Sequence, residues 1–320
     1  MKHSVKVTII LLLIFLSSQL FGLFTLNNDL KAVIDTSGKV ESIQYSEPVI
    51  GERPQVKSDT AFVYILFAVL IGTLILLFLI KFKQVKIWKT WFFLAVFMSI
   101  AVTLGVYVSK WIAFTLALII ALIKLFKPNF FIQNISEIMI YTGIAILFVP
   151  LFNVFWISML LLAISLYDAY AVWHSKHMIK MANFQTEAKL FAGLSVPYKI
   201  KNSGKSEINI TIPKAENFKS ENQINSKTIV GESNKIAILG GGDIAFPLLF
   251  SGVVMQSLIL DGATKMQAFF LTQIVVIFSS IALGLLFLYG KKDRFYPAMP
   301  FISAGCFLGY GALVLLQLIL

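Results

Sequence analysis

The amino-acid sequence predicts an all-α polytopic membrane protein of nine spanning helices, N-terminus in the cytoplasm and C-terminus outside. Three observations carry that prediction. The 320 residues are 58% hydrophobic and only 13% charged, and mean hydropathy is +0.83; soluble domains hold roughly 25% charged residues. Nine apolar runs have the length a helix needs to cross a bilayer. Basic clusters recur in every second connection between those runs.

The runs lie at approximately 7–26, 61–80, 90–109, 111–126, 134–152, 154–173, 235–258, 267–290 and 295–319. The first follows Lys2 and Lys6. A cleaved signal peptide has that pattern, but a length of roughly 20 residues suits a retained span. Spans three and four are separated by Lys110, and spans five and six by Asn153, so each pair reads as a tight helical hairpin. The chain divides into spans one to six with an outside loop at 27–60 (residues 1–173), a connection at 174–234, and spans seven to nine at 235–320.

Charge sets the orientation. Lys81, Lys83, Lys86 and Lys89 follow span two, Lys124 and Lys127 follow span four, and Lys291, Lys292 and Arg294 follow span eight. The 174–234 connection is lysine-rich throughout. The 27–60 loop carries more acids than bases, and the other alternate connections carry almost no charge. This one-sided distribution puts residues 174–234 in the cytoplasm. It also accounts for the net charge of +11 through contact with anionic lipid rather than nucleic acid, which needs a contiguous basic face. Cys306 is the sole cysteine, so no intramolecular disulfide or cysteine metal cluster can form.

Within the cytoplasmic connection, residues 174–191 suit an amphipathic helix at headgroup level. Ile208, Ile210 and Ile212 alternate with polar residues, and Tyr198 and Ile200 precede Asn202-Ser203-Gly204. A small β-hairpin is expected there.

Two carboxylates sit well inside apolar runs: Asp168 in span six and Asp243 in span seven. An ionised carboxylate at membrane depth costs roughly 2.5–3.5 kcal/mol or more. Asp168 lies six residues before His174 and Asp243 eight after Lys235. If both runs are helical, these are about 9 and 12 Å below the same surface. Two such carboxyls on neighbouring antiparallel helices share a proton, one serving as base and the other as acid. That pairing activates water for attack on a peptide carbonyl, and sequence does not assign the two roles.

Gly240, Gly241 and Gly242 precede Asp243. Each weakens a helix by roughly 1 kcal/mol relative to Ala. They either admit a substrate backbone close to Asp243 or serve close helix packing. Pro297-Ala298-Met299-Pro300 opens span nine on the same side as both aspartates. Tyr167, beside Asp168, is either a core aromatic or a hydrogen-bond donor to the pair. Glu137, near the start of span five, reads as a boundary charge, and His174 and His177 as interfacial polar residues.

In order on spans six, seven and nine, Tyr167-Asp168, Gly240-Gly241-Gly242-Asp243 and Pro297-Ala298-Met299 resemble the YD, GxGD and PAL motifs of the presenilin and signal peptide peptidase family. The likeness is to a prokaryotic, archaeal-type presenilin homologue, and it covers the nine-span plan. Met299 stands where the third motif has Leu, with similar volume and polarity. The resemblance implies intramembrane aspartyl proteolysis without metal or cofactor, with Asp168 and Asp243 catalytic and Pro297–Met299 beside them on the substrate. It implies transmembrane proteins or peptides as substrates and the prokaryotic cell membrane as the location. It leaves accessory subunits open. The lysine distribution matches presenilins, whose N-terminus is cytoplasmic, so substrates are expected to enter with the N-terminus outside. Presenilin substrates also pair with a strand near this point of the chain, for which Ile208–Ile212 and Thr228–Val230 are the candidates. A proton-coupled transporter or ion leak pathway would also use two buried acids. It does not account for the glycine and proline motifs beside them.

Overall fold

The computed structural model describes residues 5–35, 40–51, 53, 56–82, 84–127, 129–174, 192–200, 233–290 and 296–319. Among them are nine α-helices: α1 (Val5–Asp29), α2 (Ser58–Lys81), α3 (Val85–Gly105), α4 (Lys110–Phe126), α5 (Phe130–Phe148), α6 (Val154–Trp173), α7 (Gly242–Leu260), α8 (Lys265–Tyr289) and α9 (Met299–Ile319). Eight, counting α5 with the 3₁₀ turn Val149–Leu151, are long and apolar enough to cross a membrane. The remaining one, α4, has 17 residues, about 25 Å at 1.5 Å per residue. Polar caps fix where several helices start. Asn129 and Asn153 accept from the backbone N–H groups of Ile132 and Trp156, opening α5 and α6. Thr264 and Gln267 form a reciprocal capping box on α8.

Two small antiparallel sheets mark opposite ends of the bundle. Strands β1 (Leu30–Ile34) and β2 (Val40–Tyr45) form a hairpin after α1, inside the loop expected at 27–60. It is fastened to the ends of α1, α7 and α8. Arg53 pairs with Asp29 at 2.7 Å, and Lys265 Nζ donates to the Leu30 carbonyl at 2.8 Å. The Tyr45 hydroxyl donates to Gln256 Oε1 at 2.6 Å. Burial raises the pKa of the Tyr45 phenol, which keeps it a neutral donor.

Strands β3 (Gly193–Ile200) and β4 (Ser233–Gly240) form the second sheet, at the end where α6 finishes and α7 and α9 begin. Leu194, Val196, Ala237 and Leu239 alternate inward and are buried, and β3 packs against α1 and α5. This differs from the expected hairpin. Residues 198–200 do lie in a strand, but the partner is the segment immediately before α7. Ile208–Ile212 and Thr228–Val230 lie outside the described residues.

Span seven is corrected in the same way. The apolar run beginning near Lys235 is strand up to Gly240, and helix begins at Gly242. A short run such as Ile236-Ala237-Ile238-Leu239 fits a buried strand as well as a helix turn, and hydropathy does not separate them. The glycines that follow end the strand. Asp243 therefore sits in the first turn of α7, not about two turns into a longer helix. Span nine likewise begins at Met299 rather than 295.

The helices meet closely where side chains are small. A methyl group on Gly305 or Gly309 of α9 would lie 2.8 or 2.7 Å from atoms of α8, so these glycines set the α8–α9 approach. At the other extreme, α2 is the least buried span and packs against α3 and α6.

Candidate active site

Asp168 lies in the penultimate turn of α6 and is 5% exposed. Its Oδ2 accepts from the Met299 backbone N–H at 3.2 Å. Asp168 thus caps a helix other than its own. The first N–H groups of a helix have no internal partner, and the helix dipole favours an anion there. Pro300, in that first turn, sacrifices no hydrogen bond by lacking an N–H. Within a turn of Asp168 and Met299, Ser165 Oγ and Ser303 Oγ are 2.8 Å apart and join the same two helices. Pro297 and Met299 are buried.

Asp243 is half-buried where β4 turns into α7. Helices α6 and α7 pack together, so both aspartates stand on adjoining helices at the β3–β4 end. Pro247 has no N–H to return to the Asp243 carbonyl, which loosens the first turn of α7. From α1, Gln19 Nε2 donates to the neighbouring Ile244 carbonyl at 3.0 Å.

The three glycines have three different surroundings. A methyl on Gly240 would meet Asp243 Oδ2 at 3.1 Å. One on Gly241 would lie 2.7 Å from the Tyr141 hydroxyl oxygen. Only Gly242 is open: it is exposed, and a methyl there meets nothing closer than the Phe246 ring at 3.7 Å. Backbone approach to Asp243 from outside is therefore available at Gly242.

The Tyr167 hydroxyl donates to Thr73 Oγ1 of α2 at 3.0 Å, tying α6 to α2. The sequence offered both a core role and donation to the aspartate pair; the bond to Thr73 is a third arrangement. His174 caps the end of α6, exposed and with its ring tilted against Tyr170; His177 lies outside the described residues.

Glu137 is not a boundary charge. It is 1% exposed and paired with Lys124 at 2.6 Å, so Lys124 also leaves the surface cluster to which its position assigned it. Asn134 bonds both backbone groups of Ser195 in β3, accepting at 3.0 Å and donating at 2.9 Å. Spacing offered a partial signal for these residues: Gln133, Asn134, Glu137 and Tyr141 recur at helical intervals on α5. Their partners come from elsewhere in the chain.

A family model described as signal-peptide peptidase, presenilin aspartyl protease matches residues 28–319. The chain belongs to that family. A solved structure of a presenilin family intramembrane aspartate protease has the same fold. It superposes with a TM-score of 0.56 at 15% identity, over 95% of this chain and 99% of that one. No curated protein matches the chain. As a member of the signal-peptide peptidase and presenilin family, this integral membrane protein has its first and third motifs in direct contact, through Asp168 and Met299.

Proposed function

We propose that the chain hydrolyses peptide bonds of transmembrane segments with water activated between Asp168 and Asp243. The observation that carries the reading is the bond from Met299 N–H to Asp168. It joins two motifs 131 residues apart in sequence, on a helix adjoining the one that opens with Asp243. One carboxylate takes a proton from water as its oxygen attacks the scissile carbonyl carbon. The other, protonated, donates to the developing oxyanion. Collapse of the tetrahedral species breaks the C–N bond, and the amine leaves with a proton returned from the pair. Gly240–Gly242 and Pro297–Met299 border the substrate in this reading, with Gly242 the position that admits its backbone.

A helical substrate holds its carbonyls in i to i−4 bonds, so cleavage requires local unwinding. Bare peptide groups in lipid cost several kcal/mol unless rebonded. Strand β4 can supply those bonds by β-augmentation. The outer edge of β3 is already occupied: Asn134 holds Ser195, and Gln133 Nε2 donates to the Gly193 carbonyl at 3.1 Å. Pro197 lies on that same edge and has no N–H to offer. Ser195 faces Ile238 across the ladder, so with the Ser195 groups turned outward the Ile238 N–H and C=O turn outward on the β4 side. The extended substrate adds there, just before Asp243.

Detergent-solubilised protein incubated with a transmembrane peptide is expected to release two fragments. Ion flux in proteoliposomes without any cleavage would sink the reading in favour of a transport pathway.

The lysine distribution supports a reading in which the β3–β4 end faces the cytoplasm and substrates enter N-terminus outside, and the likeness to archaeal-type presenilins supports a prokaryotic cell membrane. The natural Cys306 is fully buried, which leaves a quiet background for a cysteine introduced at Lys205. An impermeant thiol reagent added to intact cells should not label it. Efficient labelling from outside reverses the orientation.

A further inference from the structure

A buried polar chain runs from α4 to the turn that carries Asp243. Lys124 and Glu137 are 2% and 1% exposed. Lys124 Nζ donates to Glu137 Oε1 at 2.6 Å, to Ser136 Oγ at 2.9 Å and to Gln133 Oε1 at 3.2 Å. Gln133 Nε2 donates to the same Glu137 oxygen at 3.0 Å and to the Gly193 carbonyl at the start of β3. The other Glu137 oxygen accepts the Tyr141 hydroxyl. Tyr141 in turn stands against Gly241 and within electrostatic reach of Asp243.

Burying an ion pair is a poor way to stabilise a bundle, since hydrocarbon of the same volume is often as good or better. Anchoring α4 to α5 therefore does not by itself explain this chain. Its far end is informative. Gly241 has φ −62° and ψ −36°, a conformation open to any residue. Glycine is required there by the approach of Tyr141: an added methyl would lie 2.7 Å from the hydroxyl oxygen and 3.1 and 3.2 Å from ring carbons. The Tyr141 proton is directed to Glu137, so the ring is held in one place, and the glycine turn rests on it.

We propose that Tyr141, locked by Glu137 and Lys124, is a positioning residue for Asp243. Through Gln133 and Gly193 the same network ties that placement to the β3–β4 sheet, on which the substrate strand would lie. The inference rests on the proteolytic reading above. Tyr141 touches no reacting atom in it; its effect is on where the Asp243 carboxyl sits.

The test uses the full chain in detergent with a fluorogenic transmembrane peptide. Tyr141→Phe keeps the ring but releases it from Glu137. It is expected to lower kcat between about tenfold and a hundredfold, the scale of a misplacement near 1 Å, with KM within about twofold of wild type. Gly241→Ala presses on the same hydroxyl and is expected to act likewise. In the double variant the closest clash is gone, so its kcat loss should fall short of the product of the two single losses by at least about threefold. A generic packing defect would instead lower thermal stability and multiply through. Wild-type kcat in Tyr141→Phe, or losses that simply multiply, overturns the proposal. Should Tyr141→Phe not purify folded, Gly241→Ala decides alone, because it removes none of the hydrogen-bonding groups of the network. A kcat fall at constant KM upholds the proposal, and wild-type kcat overturns it. If the wild type cleaves nothing, the proteolytic reading fails; if it cleaves and only the Tyr141 and Gly241 variants behave normally, this inference alone fails.

Discussion

Asp243→Asn and Asp168→Asn are each expected to lose at least about 10²–10⁴-fold in turnover of a transmembrane peptide, the range that a positioned acid or base contributes. Both should remain folded. An Asn at 168 still offers a carbonyl oxygen to the Met299 N–H, so α9 keeps its cap. At 243 the side chain is half-buried in the first turn of α7, where loss of the charge forgoes about 0.3–1 kcal/mol of dipole interaction. Neutralising either acid also eases burial in the bilayer. Melting temperature in detergent supplies the control. A folded single variant that retains substantial proteolysis removes the paired-carboxyl mechanism.

Ile238→Pro is expected to lower cleavage of a helical substrate about tenfold or more. It removes one edge donor, and a lost hydrogen bond that leaves its partner unpaired in a buried setting costs roughly 1–3 kcal/mol. The variant is selective because the Ile238 N–H faces away from β3, so the existing ladder loses no bond. Ile238 is also 38% exposed, which leaves room for the ring. Binding and turnover should fall together while the melting temperature stays near that of wild type. Wild-type cleavage of the helical substrate would refute strand addition at β4.

The sequence made the helices legible because lipid imposes length and apolarity on each one separately. Asn153, read as the break between spans five and six, is indeed the cap of α6. The pairing of β3 with β4 was not legible, since strand partners 33 residues or more apart leave no local signal, and apolar Ile236–Leu239 merges with the helix that follows. The motif positions could be read off the chain, whereas their contacts could not. Nothing in the order of residues says that Asp168 would meet the backbone of Met299, or that Tyr167 would turn to Thr73. Glu137 was misread for a related reason. Proximity to a helix start suggests a surface charge until Lys124 is seen to come back on it from the preceding helix.

That return has a consequence for how the chain enters the membrane. Lys124 and Glu137 are 13 residues apart, on two consecutive helices joined by residues 127–129. Inserted singly, each charge would resist leaving the translocon for lipid by roughly 2.5–3.5 kcal/mol at a helix centre. Folded back together, Lys124 and Glu137 neutralise each other inside the α4–α5 hairpin, and both are already withdrawn from lipid. The ion pair can therefore form during synthesis, before α6 and α7 exist, and the surface that receives Asp243 can be in place when its helix emerges.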